Sequence, residues 1–161
     1  MLYSLRPQGK TLESVRDQMT SRAQDIQEGV ARIFNAVSPT NEGWVKVADN
    51  PQMQIEDLLL GVPMGVAMKA GMTSERVARN VFQRTYKTAV VLRCLCNGAR
   101  FATSDQFVEF VERAAEYCET VCSPLRITKC AIEVQTDPEE FEQNGITSTL
   151  VMVEAMEWPA L

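Results

Sequence analysis

Histidine is absent from the 161 residues of this chain. Because histidine is the commonest general base of enzymes and the commonest metal ligand, its absence removes the simplest catalytic and metal-binding arrangements. The sequence also contains no glycine-rich phosphate loop, no serine nucleophile elbow and no HExxH zinc motif. We therefore predict a protein that is not an enzyme and that uses no cofactor and no metal ion.

Long apolar runs are lacking as well. No stretch approaches the ~20 residues of a membrane-spanning helix, and the opening MLYSLRPQGK has no apolar signal core. The five cysteines, an odd number, favour reduced thiols and synthesis in the cytoplasm. The net charge of -5 argues against broad binding to nucleic acid or anionic membranes, since both need a basic surface.

The apolar pattern is typical of one α+β domain over residues 11–161, preceded by a flexible N-terminal arm at residues 1–10. Apolar residues at three- and four-residue steps predict two helices, at 11–37 and at 104–122, the second with Thr103 and Gln106 at capping-box spacing. Alternating segments predict five strands, at 44–48, 61–71, 84–96, 127–135 and 146–158. We expect a mostly antiparallel sheet with both helices on one face, in the order α-β-β-β-α-β-β.

The strand RTYKTAVVLRCLC (84–96) is apolar on both faces, which predicts a central position in the sheet. Its cysteines, Cys94 and Cys96, share one face, and Cys118 and Cys122 lie four residues apart on the apolar stripe of the second helix. If that helix covers the sheet, a four-thiolate metal site is conceivable, although the spacing is not that of zinc sites. Free cysteine packs as a small hydrophobe, so we predict packing.

Two charged segments are candidates for contacts. Residues 71–80 predict an exposed loop or hairpin tip, and the loop at 76–84 is short for an arm that reaches a neighbouring subunit. Basic residues crowd this segment: Arg76, Arg79, Arg84 and Lys87. The connection TDPEEFEQNG predicts an acidic loop that lacks the oxygen pattern of a calcium site, and it contains Glu139, Glu140 and Glu142. Opposite charges on one chain suit a head-to-tail ring interface; solvated surface, or arginines facing DNA in a ring channel, are the alternatives.

Three segments together resemble the tail terminator (tail-completion) proteins of long-tailed bacteriophages and related gene-transfer particles, over roughly residues 12–158. They are GVPMGVAM after the opening helix, VFQRTYKTAVVLRC followed by SDQFVEFVERAAEYC, and CAIEVQTDPEEF followed by NGITSTLVMVEAMEW. The resemblance implies a virion structural protein that forms a hexameric ring at the head-proximal end of the tail tube. Its partners would be itself, the tail tube protein and a neck or head-completion protein, with DNA passing through the channel without specific binding.

Other functions stay open on the sequence. A head-tail stopper, an adaptor or a minor tail component has the same overall character, and a cytosolic binding module is a further alternative. An enzyme with a cysteine nucleophile would need a reactive thiol among Cys94, Cys96, Cys118 and Cys122.

Overall fold

The computed structural model describes residues 22–39, 43–49, 63–96, 101–120 and 126–156. In chain order the elements are α1 (Arg22–Ala36), β1 (Val45–Val47), β2 (Met64–Ala78), β3 (Val81–Leu95), α2 (Ser104–Thr120), β4 (Arg126–Val134), α3 (Pro138–Asn144) and β5 (Ile146–Met156). The expected flexible arm at residues 1–10, the start of the first helix and Cys122 lie outside the described residues.

Five strands form one sheet in the order β1-β2-β3-β5-β4. Neighbouring strands are antiparallel except β1, which pairs parallel to β2 from Val45↔Gly65 to Val47↔Ala67. The predicted α+β class with a mostly antiparallel sheet is confirmed. The central position of β3 confirms the prediction from its two apolar faces.

Helices α1 and α2 pack on the same face of the sheet. The alternate β3 residues Tyr86, Val90 and Leu92 point towards them and are at most 5% exposed, in one cluster with Phe34 of α1 and Phe107 of α2. Burial of such side chains contributes roughly 1.5–3 kcal/mol each. The core therefore lies between this face and the two helices.

Polar side chains fix α1 to the sheet edge. Gln27 is 1% exposed, and its Nε2 donates to the carbonyl oxygens of Ala67 at 2.8 Å and Ala48 at 3.2 Å. Asn35 accepts from the N–H groups of Trp44 and Val45, both at 2.8 Å, and donates to the Val45 carbonyl at 3.0 Å. These amides hold β1 beside the helix that precedes it.

The start of α2 follows the predicted capping pattern with one change. The Thr103 hydroxyl accepts from the Gln106 N–H at 3.3 Å, whereas the Gln106 side chain accepts from the N–H of Ala102 at 2.8 Å, one residue earlier than the standard box. Two backbone donors at the helix start are thereby satisfied.

Residues 71–80 form the predicted exposed hairpin tip, although most of them belong to strands, because β2 runs to Ala78 and β3 begins at Val81. One segment differs from the sequence prediction. The acidic connection contains the helix α3: Asp137 caps it by accepting from the Glu139 N–H at 3.1 Å, Pro138 opens it, and Gly145 ends it at a φ of 73°. Aspartate, proline and glycine are helix-boundary residues as well as turn residues, so composition alone did not separate the two.

Candidate functional site

A two-stranded arm projects from the sheet. Strands β2 and β3 pair from Met64↔Arg93 to Ala78↔Val81, whereas β5, whose described residues end at Met156, pairs with β3 as far as Thr85. Every residue from 69 to 82 is exposed. We call residues 69–84 the hairpin arm, and its turn lies about 17 Å beyond Thr85↔Met156, the last described pair between β3 and β5. The predicted exposed hairpin tip is present, and it reaches further than the short loop expected at 76–84 because both strands continue beyond that pair.

The turn and two bulges shape the hairpin arm. Arg79 and Asn80 form the two-residue turn, and Asn80 adopts a φ of 60°, a conformation that asparagine tolerates better than most residues. The pairing shifts between Lys69 and Gly71 and again between Arg76 and Ala78. Bulges increase twist and disrupt edge pairing, which protects an exposed ribbon from indiscriminate strand addition.

One face of the hairpin arm combines apolar and basic side chains. Phe82, Arg84 and the buried Tyr86 are every second residue of β3 and therefore share one face. The register places Met72 opposite Tyr86 and Arg76 opposite Phe82. Directly paired residues share a face, so these five residues lie on the same side of the sheet. It is the side that α1 and α2 cover near Val90 and Leu92. Phe82 is 60% exposed and Met72 51%. We call Met72, Arg76, Phe82 and Arg84 the arm face.

The predicted basic residues do not form a single patch. Arg76 and Arg84 lie together on the arm face, whereas Arg79 is in the turn. Lys87 is half-buried on the opposite face of β3, where the register places it beside Glu154 of β5. Strand alternation separates Lys87 from the two arginines, which a count of basic residues along the sequence does not reveal.

The predicted acidic residues all lie on α3 but play different parts. Glu140 forms a salt bridge with Arg93 of β3, with both side chains half-buried. Glu139 and Glu142 are exposed, and Phe141 between them is 40% exposed. Glu140 therefore attaches α3 to the sheet, and its neighbours face outward.

The arm face and α3 lie at opposite ends of the sheet. α3 leads into β5 at Ile146, which pairs with Leu95 at one end of β3, and Arg84 of the hairpin arm lies towards the other end. The eleven residue steps of extended strand from Arg84 to Leu95 span about 36 Å. This is several times the ~8–10 Å Debye length at physiological ionic strength. Within one chain the two sets of charges cannot pair.

The four cysteines that the structure describes form two pairs in separate parts of the core. A hydrogen bond from the Cys94 thiol, helped by one from Thr147, favours the Cys96 thiolate and lowers its pKa to about 7, although burial favours the neutral thiol. Cys118 of α2 donates to Cys130 of β4, which raises the pKa of Cys118 and lowers that of Cys130. Cys96 is buried and Cys130 is half-buried.

The four-thiolate arrangement that the sequence left conceivable needs Cys94 and Cys96 beside Cys118, and the structure separates them. Cys130 lies in the sheet row of Val153 and Thr88, whereas Cys94 is six residues further along β3, about 20 Å away. Across the described ranges, no three histidine, cysteine, aspartate or glutamate side chains are grouped so as to hold a metal ion.

The chain matches no protein-family model and shows no significant similarity to a curated protein. In the part of the chain that the structure describes, no helix is long and apolar enough to cross a membrane. The sequence reasoning assigned no role to Met72, Phe82 or Phe141. A usable signal was present, because each is a large apolar residue inside a charged segment.

Proposed function

We propose that this chain is a virion structural protein of the tail terminator kind. It forms a ring at the head-proximal end of a tail tube, stops tube polymerisation and joins the tail to the neck. The observation that carries the proposal is the hairpin arm, which is basic and partly apolar and lies at the opposite end of the sheet from the exposed acidic helix α3.

The distribution of charge supports contact between copies. The hairpin arm carries four basic residues and one acidic residue, a net charge of +3. Because the whole chain has a net charge of -5, the remaining residues together carry a net charge of -8. A basic projection on an otherwise acidic protein is attracted to a second copy of the same protein. The acidic remainder also suits a channel through which DNA slides without sticking.

The placement of the charges supports a ring. Contacts between unlike surfaces are heterologous, and they close into a ring when the rotation between neighbours allows it. Arg76, Arg79 and Arg84 of one copy would meet Glu139 and Glu142 of the next. Glu140 would serve by holding α3 in position through Arg93, and Lys87, on the other face, would contribute little.

Native mass spectrometry over a concentration series tests the proposal. The expected species is a closed hexamer of about 108 kDa, six times the 18.0 kDa chain. The variant Arg76→Glu/Arg84→Glu should weaken assembly and leave the circular dichroism spectrum unchanged, whereas Lys87→Glu is the matched control. If the double variant forms as much ring as the unmodified protein at every salt concentration, the proposed interface is contradicted.

A neck stopper or adaptor is the nearest alternative, and tube length distinguishes it from a terminator. Added to a polymerising tail tube protein, a terminator ring caps the tube and shortens its length distribution in electron micrographs. An adaptor or a cytosolic binding module leaves that distribution unchanged, which would refute the terminator assignment.

A further inference from the structure

The exposed apolar residues of the arm face require a separate explanation from its charges. Phe82 is the most exposed of the large hydrophobic residues that the structure describes, and Met72 is exposed beside it. Both continue a sheet face that the helices cover further along, where Tyr86 is only 5% exposed. The arm face is thus an uncovered extension of the core-facing side of the sheet.

Two guanidinium groups define what would cover this face. Arg76 lies opposite Phe82 in the register, and Arg84 follows Phe82 by two residues on the same face. Arg84 is two residues along β3 from Phe82, and Arg76 lies on the neighbouring strand opposite Phe82. Strand spacing therefore puts the two arginines roughly 8 Å apart. A complementary surface therefore carries an aromatic or aliphatic group between carboxylates.

Among the described residues, two helices present an exposed aromatic side chain between glutamates. Phe141 lies between the exposed Glu139 and Glu142 on α3, and Tyr117, 37% exposed, lies between Glu116 and Glu119 on α2. They differ in position, because α3 is at the opposite end of the sheet from the hairpin arm.

Tyr117 lies near the arm's own end. It is one residue from Cys118, which contacts Cys130 in the sheet row of Thr88. A contact between opposite ends of the sheet is heterologous and propagates around a ring, whereas an acceptor beside the arm's own end allows two copies to exchange arms reciprocally in a two-fold dimer. The proposed ring therefore selects α3 over α2 as the acceptor.

We infer that Phe82 of one copy anchors on Phe141 of the next copy, with Arg76 and Arg84 against Glu139 and Glu142. This inference rests on the proposed ring and adds its apolar anchor. Aromatic pairs prefer edge-to-face or offset geometry, and desolvated aromatic and arginine side chains dominate interface energies. The surrounding ion pairs orient the contact and set its salt dependence.

Photocrosslinking tests the anchor directly. Phe82 is replaced by p-benzoylphenylalanine, which keeps the aromatic ring, and the assembled protein is irradiated, digested and mapped by mass spectrometry. The expected product joins Phe82 to the peptide containing 138–144 of another copy. A crosslink to the Tyr117 peptide, or to any other segment, would overturn the inference.

A pair of matched variants supplies the second measurement. Phe141→Ser should weaken ring assembly roughly tenfold or more, measured by mass photometry, whereas Tyr117→Ser, at a similarly exposed position, should leave assembly unchanged. Both residues are partly exposed, and unchanged circular dichroism spectra would verify folding. If Phe141→Ser forms rings with unaltered affinity, the anchor is refuted but the proposal of a ring stands. If the unmodified protein forms no ring, the proposed function and the anchor fail together.

Discussion

Replacing Gln27 with methionine should lower the free energy of unfolding by about 2 kcal/mol. Gln27 is 1% exposed between α1 and the sheet edge, and its Nε2 donates to the carbonyl oxygens of Ala67 and Ala48. Methionine has a similar length and flexibility, so it fills the same space while removing both hydrogen bonds.

The magnitude follows from what each carbonyl retains. The Ala67 carbonyl keeps a hydrogen bond from the N–H of Ala48 at 3.2 Å, so its loss is the ~0.5–1.5 kcal/mol of one net hydrogen bond. The half-buried Ala48 carbonyl loses the Gln27 donor, at a cost of about 1 kcal/mol, the lower end of the range for an unsatisfied buried acceptor. Together these losses amount to about 2 kcal/mol.

Urea unfolding followed by far-ultraviolet circular dichroism is the assay. The midpoint should fall with an unchanged slope, and the melting temperature should fall by roughly 4–8 °C. Arg32→Met, at an exposed position of the same helix, is the control and should change stability by less than about 0.5 kcal/mol. A Gln27→Met variant as stable as the control would refute the reasoning that these hydrogen bonds hold β1 and β2 to the helix.

Three further predictions concern the core, the arm and the thiols. Phe107→Ala, at a fully buried position, should cost about 3–5 kcal/mol in chemical unfolding. Asn80→Val should weaken assembly and Asn80→Gly should not, measured by native mass spectrometry, because a β-branched residue resists the left-handed turn. Cys118→Ala should raise the pKa of Cys130 and slow its alkylation by iodoacetamide at pH 7–8, followed by mass spectrometry; an unchanged rate would contradict the thiol hydrogen bond.

The pH dependence of stability has a definite sign for Cys96. Its folded pKa of about 7 lies below the ordinary 9.0, so the unfolded chain holds the proton more tightly. Its contribution to stability is fully present above pH 9 and is lost as the pH falls towards 7. Urea midpoints measured between pH 7 and 9 should rise with pH in the native protein and rise less in Cys96→Ala. Equal slopes would refute the lowered pKa.

Local patterns accounted for most of the fold. The three- and four-residue periodicity of α1 and α2, and the alternation of β3 and β5, depend on which face each element buries, and that periodicity is visible in the residues themselves. The sequence pattern did not predict the helix α3, because a seven-residue helix with no buried residues has no apolar stripe. The capping residues at its two ends were its only mark.

The candidate site was only partly predictable. Arg76 and Arg84 were predicted as contact residues from their charge, which remains a prediction. The separation of Lys87 from their face depended on strand register, and the half-burial of Glu140 depended on Arg93, which is 47 residues away. The exposure of Phe82 depended on the pairing of β2 with β3 beyond the described part of β5, which no local pattern around Phe82 encodes.

Periodicity and charge are properties of neighbouring residues, so the α+β class, the central strand and the basic and acidic segments could be predicted from the sequence. The folded structure was needed to show that the hairpin arm extends beyond the described part of β5, that Cys118 contacts Cys130, and that the arm face and α3 lie at opposite ends of the sheet. Those features arise from pairings between residues far apart in the chain. Their register depends on how the whole sheet buries its faces, which no short segment specifies.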